Sequence, residues 1–447
     1  MNAVPDATDE PDATVGGLLG RCLLAAGATR VVGEPSGSIS GIPGLRHLRV
    51  EEPGVASLMA DAFGRLGRGP GAALLPGRRL RLSSAMGLEV EPERIDDASA
   101  IPAAVAAWSW GAVHAATELV LDLDLEAPAP DDLEPLSIDP AGGTAMVLGV
   151  DVRDVGIVIL AGPGVVRERQ VDALRRFAER AGAGVVNTWG AKGLYRWDDP
   201  RHLGTVGLQR DDLALAGLLD APLVLAVGVD RAEVDLDAWP GGQVLEVEPW
   251  QLEGLAMRWP EPDPAGPDAK PLLFELLADA LADRYASNLV PLAPARAVAD
   301  LAVAASRGAL VAADPGPAGL WVARALPTTE LDGVIVSATG GRGSAVALGL
   351  AATLDGRDAF AVTTEPFDPA TEAVLDLARH WSGVTTGALV VCAWGGDEPW
   401  ADADAHLVAL RTARRGGGLS VVPVPVELSE TRLLVEVAGE VVAWQPA

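Results

Sequence analysis

Three apolar segments that end at glycines constrain the middle of this chain. Gly156–Gly164 reads GIVILAGPG, a short strand that enters a Gly-Pro-Gly turn and then an amphipathic stretch, Arg167–Arg180. Val185–Gln209 starts as a β-branched strand, breaks at Gly190, and runs through a polar loop to the Gly204–Gly207 turn. Ala221–Val229 (APLVLAVGV) is a further buried strand, ended by Gly228 and Asp230. Strand, glycine-rich turn, helix, strand is the pattern of a parallel α/β sheet.

At 447 residues the chain is too long for one ordinary core, so two or three domains are expected. Two stretches rich in Pro, Asp and Gly, 127–143 and 260–270, lack apolar periodicity and read as linkers. They leave an acidic, disordered tail at 1–13 and domains at 14–126, 144–259 and 271–447. No apolar run reaches the roughly 20 residues of a membrane helix. The formal net charge of −28 repels nucleic acid and anionic membranes, and its simplest role is to keep a large assembly soluble. The two cysteines, Cys22 and Cys392, lie far apart, which fits a reducing cytoplasm. His47, His114, His202, His380 and His406 are scattered, with no two at metal-ligand spacing. Neither a Gly-x-Ser-x-Gly elbow nor a phosphate-binding Walker loop occurs.

The outer thirds repeat the α/β style. In the first, Val15, Leu18, Leu19, Cys22 and Leu23 share a helical face, Thr29–Val32 is a strand, and Gly33-Glu34-Pro35-Ser36-Gly37 a turn. Then come Leu48–Glu52, a helix at Gly54–Leu66 and a strand at Ala72–Leu75. In the last third, strands are expected at Ala309–Asp314, Gly333–Thr339, Phe360–Thr364 and Ala388–Ala393. Gly340-Gly341-Arg342-Gly343-Ser344 opens a helix at Ala345–Leu354, and Ala370–Trp381 is a second helix.

The middle block, together with Gly33, Pro35, Glu52, Met59-Ala60-Asp61 and Arg65, resembles the acetolactate-synthase-like family of thiamine-diphosphate (ThDP) enzymes. The resemblance implies three Rossmann-like domains with parallel sheets: a pyrimidine-binding-like, a central and a diphosphate-binding-like domain, the first and third alike. It implies ThDP as cofactor, supplying the hard chemistry while the protein positions it. Glu52 takes the position of the glutamate that acts on the cofactor's pyrimidine ring. Read from its neighbours alone, Glu52 is equally an acid at the start of the next helix, favoured by the helix dipole.

Elsewhere the sequence departs from the family. Where Gly-Asp-Gly should supply a carboxylate to Mg²⁺, Thr364-Glu365-Pro366 stands, with Glu365 the only remnant. Proline fixes φ and removes an N–H where a phosphate would approach. Where an Asn-Asn pair should follow, Trp394-Gly395 stands, with Asp397 and Glu398 two or three residues out of place. After Leu75 the first domain reaches its linker about 50 residues early, judged against ordinary domain size. Mg²⁺ is therefore not expected, while ThDP stays open. Gly340, Gly341, Arg342, Gly343 and Ser344 offer a helix start and a guanidinium to a diphosphate, or form a plain strand-to-helix turn. Gly162-Pro163-Gly164 and Gly228 suggest a nucleotide site in the central domain, but FAD is not expected there. Two functional readings follow. One is a catalytically degenerate structural or regulatory partner, a homodimer or a heteromer with an active paralogue. The other is an active 2-oxo-acid decarboxylase or carboligase with an unusual diphosphate anchor. The expected interface includes Trp108, Trp110 and Trp321.

Overall fold

The computed structural model describes residues 14–34, 39, 41–67, 69–83, 88–89, 92–111, 115–130, 132–136, 156–259, 266–267, 269–329, 331, 333–336, 341–396 and 400–444. Pro35, Gly340, Asp397, Glu398, His114, the 1–13 tail and much of both linkers lie outside them, as do the side chains of Trp108 and Trp110. The chain divides into two compact units, 1–140 and 141–447. No described helix is long and apolar enough to cross a membrane.

The first unit holds a seven-stranded sheet. Arg30–Gly33 pairs in parallel with Arg46–Arg49 on one side and Gly71–Leu75 on the other. The next strand, Arg79–Ser83, runs antiparallel to Gly71–Leu75 and to Ala115–Leu121. The residues around it form a hairpin because Leu75 pairs with Arg79 across three residues, two of which, Gly77 (φ 77°) and Arg78 (φ 58°), are left-handed. A parallel neighbour would need a crossover of a dozen or more residues, which this segment lacks. The sheet is thus mostly parallel, with one reversed strand, and differs in this from the all-parallel third sheet. Helix Pro53–Leu66 lies against it with Val55, Ala56, Met59, Ala60 and Phe63 buried.

The second unit contains two five-stranded parallel sheets. The central one orders His202–Val206, Gly184–Thr188, Ile157–Ala161, Leu223–Val227 and Gln243–Val247. The other orders Val334–Val336, Leu310–Ala313, Ala359–Thr364, Leu389–Trp394 and Leu419–Val424. Their inner strands are buried on both faces, which explains runs such as LVLAV and LVVCAW. The stretch read as one helix over Arg167–Arg180 is two, Gly164–Arg167 and Val171–Ala181, separated at Arg169 (φ 57°).

Central and third sheets share cores. Trp189 and Leu208 pack in one cluster with Trp321, Trp394 and Phe360, and Leu273 and Ala438 join a cluster of central-sheet residues. A polar stitch runs along the same seam. The Arg324 guanidinium donates to Gln209 Oε1 at 3.0 Å, to the Thr205 carbonyl at 2.5 Å and to the Asp212 carboxylate. Gln209 Nε2 in turn donates to the carbonyls of Leu434 and Gly439. The Arg324 and Asp212 side chains are fully buried. Trp321, expected at an interface, is instead fully buried, its indole N–H donating to Thr431 Oγ1 at 3.0 Å. An apolar ring with one satisfied polar group belongs in such a core.

Candidate functional site

Glu52 sits at the start of helix Pro53–Leu66, in the first unit. Its carboxylate turns back to accept from the backbone N–H of Gly54 at 3.2 Å and of Val55 at 2.5 Å. It thus caps its own helix, satisfying donors that the helix leaves open, and it is exposed. The following helix carries a second acid of the motif inward: Asp61 pairs with Arg81 at 3.3 Å, both nearly buried.

The glycine-rich loop lies in the second unit. Arg342 is exposed. The start of helix Ser344–Leu354 is already occupied by a carboxylate that sequence reasoning missed. Asp314, at the end of strand Leu310–Ala313, accepts from Gly343 N at 3.1 Å, Ala345 N at 2.8 Å, Ser344 Oγ at 3.1 Å and Thr363 Oγ1 at 2.7 Å. It is 2% exposed. Burial pushes its carboxyl above the ordinary range, and the four donors oppose that push. An aspartate closing a strand before a glycine loop was the available signal.

The two halves of the expected metal motif do come together. Strands Ala359–Thr364 and Leu389–Trp394 are neighbours, with Thr364 in register with Trp394 and the Glu365 N–H donating to the Trp394 carbonyl at 2.8 Å. The Glu365 carboxylate lies over Gly396, 3.1 Å from where a β-carbon would stand. Trp394 points into the core and is fully buried, in the position of an expected side-chain ligand. Next comes helix Pro369–His380. Asp368 caps it, accepting from Thr371 N at 2.8 Å, and Pro369 occupies its first position.

Lys192 is a second residue the sequence reading did not single out. It follows the turn Trp189–Ala191, is 7% exposed, and its amine is lowered to about 7 by burial and by the Arg324 charge. The signal was a lone lysine in an otherwise apolar strand-to-turn segment.

Residues 155–248 match the family model described as "Thiamine pyrophosphate enzyme, central domain". That segment is similar to the central domain of the thiamine-diphosphate enzymes. Two solved structures share the fold of nearly the whole chain. A candidate thiamin diphosphate-dependent enzyme from Mycobacterium smegmatis is 18% identical, with a TM-score of 0.66 over 92% of this chain and 99% of that one. The thiamine diphosphate-dependent 4-hydroxybenzoylformate decarboxylase of Rhodococcus jostii RHA1 is 16% identical, with a TM-score of 0.66 over 93% and 99%. At these identities the likeness establishes the fold. No curated protein sequence matches the chain.

A thiamine-diphosphate enzyme needs donors for a diphosphate and oxygen ligands for Mg²⁺. The described residues do not fit that group. Pro366 removes an N–H donor where the resemblance places a phosphate, and Asp368 takes up the N–H of Thr371 at the start of the next helix. Glu365 and Asp368 add negative charge beside that helix start, and Trp394 offers no oxygen. Among the described residues no group of three or more His, Cys, Asp or Glu is placed to hold a metal ion.

Proposed function

We propose that this chain is a non-catalytic member of the thiamine-diphosphate enzyme fold, acting as a structural or regulatory partner. It works as a homodimer or with an active paralogue of the acetolactate-synthase type, in the cytoplasm. One observation carries the reading. The strand ends that should anchor Mg²⁺-diphosphate stand side by side, yet bear Glu365-Pro366 and Trp394-Gly395, and the helix beyond is capped by its own aspartate. The paired strand ends of that sheet are present, and the side chains they carry supply one carboxylate, Glu365, in place of the oxygen ligands the family resemblance leads one to expect. The test is a titration of the full chain with ThDP, with and without Mg²⁺, followed by tryptophan fluorescence and thermal shift. No saturable change up to millimolar cofactor is expected. Micromolar, magnesium-dependent binding would overturn the proposal. Light scattering of the purified chain, alone and with cell extract, tests the partner: a monomer of 45.9 kDa in both would sink that half.

A second reading rests on Glu52, which stands at the family's position before its helix, and on the decarboxylase among the structural neighbours. In it the chain is an active 2-oxo-acid decarboxylase or carboligase. Pyruvate consumption by the unmutated protein, lost in Glu52→Gln, would favour it.

A further inference from the structure

Helix Val171–Ala181 turns Val171, Leu174, Phe177 and Ala178 into the core of the central sheet. Its other face carries Asp172, Arg175, Arg176 and Glu179, whose spacing makes them neighbours. The segment before strand His202–Val206 meets that face and brings Tyr195, Asp199 and Arg201. Together these seven side chains line a cavity of about 370 Å³. Arg175 lies over the Tyr195 ring, its Cζ 5.3 Å from the ring centre. Asp199 accepts from the Arg201 backbone N–H at 2.9 Å. Arg176 is engaged by Glu253, outside the lining, at 2.6 Å. Asp172, Arg175 and Glu179 make no ion pair and no side-chain hydrogen bond among the described residues. Tyr195 is 4% exposed, yet its hydroxyl has no hydrogen-bond partner among them. A buried hydroxyl left in that state is costly. Charges of both signs reach this phenol: burial pushes it up, Asp199 and Glu179 add to the push, and Arg175 and Arg201 oppose it. The place is not that of the expected cofactor motif. Asp199 and Arg201 stand before the amino end of a central-sheet strand, whereas Glu365 and Trp394 mark carboxyl ends in the other sheet.

We propose that this cavity, walled by Arg175, Tyr195, Asp199 and Glu179, binds a free α-amino acid. A simple anion would meet three carboxylates in the lining, and a simple cation would meet its guanidinium groups. A small zwitterion, with its opposite charges on adjoining atoms of one short backbone, complements both. Its carboxylate accepts from the Arg175 guanidinium and from the Tyr195 hydroxyl, which thereby gains the partner it lacks. Its ammonium donates to Asp199 and Glu179, the two carboxylates that act on the same phenol. The volume lies at the small end of ligand cavities, about 300–1,000 Å³, as a ligand of this size requires. The lining is built from charged side chains and one tyrosine, so recognition rests on charge rather than on apolar burial. The inference does not depend on whether the chain is catalytic.

The experiment uses the full chain at neutral pH and low salt. Binding of L-serine and of L-lysine is read by saturation-transfer NMR and titration calorimetry, beside acetate and methylammonium as the separate charged halves. At least one of the two amino acids is expected to bind saturably at about 1 mM or tighter, and neither half to do so. Arg175→Gln is expected to weaken that binding about tenfold or more, the loss of one charged hydrogen bond. Tyr195→Phe, which removes only the unpartnered hydroxyl, is expected to weaken it while leaving the melting temperature of the free protein unchanged or higher. Should Arg175→Gln fail to fold, the Tyr195→Phe comparison decides. The proposal is overturned if neither amino acid binds, if acetate or methylammonium binds as well as they do, or if the folded variants bind as the wild type does.

Discussion

Lys192 and His202 make this chain's stability depend on pH with a definite sign. A lysine at its ordinary value of 10.5 when unfolded and about 7 when folded holds more protons in the unfolded chain across that window. Stability therefore rises as pH climbs from 7 toward 10.5, by about 1.4 kcal/mol per pH unit for one such group, and below 7 the full penalty is present. His202 adds the same sign at lower pH. Burial, Lys192 and Lys270 lower it from 6.5 to about 3, so stability falls further as pH drops through that range. Lys192→Met is expected to raise stability by about 1–3 kcal/mol at pH 6 and to lose its advantage toward pH 10. Urea unfolding at pH 6 and 9.5 checks this, and an unchanged pH slope in the variant would contradict it. The neighbouring Arg324–Asp212 pair behaves oppositely. Asp212→Ala strands a fully buried guanidinium and is expected to cost about 3–5 kcal/mol. A loss under 1 kcal/mol would mean that the seam relaxes around it.

At the scale of elements, Asp314 ties three of them together: the end of its own strand, the start of helix Ser344–Leu354, and strand Ala359–Thr364 through Thr363. Asp314→Ala leaves four donors short of an acceptor in a buried place. We expect a loss of at least about 3 kcal/mol, with Asp314→Asn recovering part of it, measured by chemical denaturation. This cluster also marks where sequence reading stops. The strands of the second unit were legible because buried parallel strands are written as continuous Val, Ile, Leu and Ala runs. Glu52 was legible as a candidate cap because its partners are two and three residues away. Asp314 meets partners 29 to 49 residues away, and no local pattern announces them. The hairpin at Gly71–Ser83 escaped for another reason. Its turn sets Arg78 in the left-handed region beside Gly77, a conformation uncommon for a non-glycine residue and unannounced by the sequence. Trp394 was recognised as replacing a ligand, but that it fills the shared core of two sheets follows only from the packing.

For the whole molecule the dominant quantity is its charge of −28, from 62 acidic and 34 basic side chains. Two opposed effects of salt must be weighed. Salt weakens exposed ion pairs such as Arg49–Glu51, Arg176–Glu253 and Arg196–Asp198, but each such pair contributes only about 0–1 kcal/mol. Salt also screens the mutual repulsion of the excess carboxylates, which opposes the compact state as a whole. The Debye length shrinks from about 30 Å at 0.01 M to about 8 Å at 0.15 M, so repulsion across the molecule is removed while contact pairs are only weakened. With so large an excess of one sign, the repulsion decides. Raising NaCl from roughly 10 to 300 mM is expected to raise the melting temperature by a few degrees. The same screening acts between copies, so a homodimer should tighten over that range, read as a rising mass in light scattering at fixed protein concentration. A melting temperature that falls with salt would show that the ion pairs of the surface outweigh its excess charge.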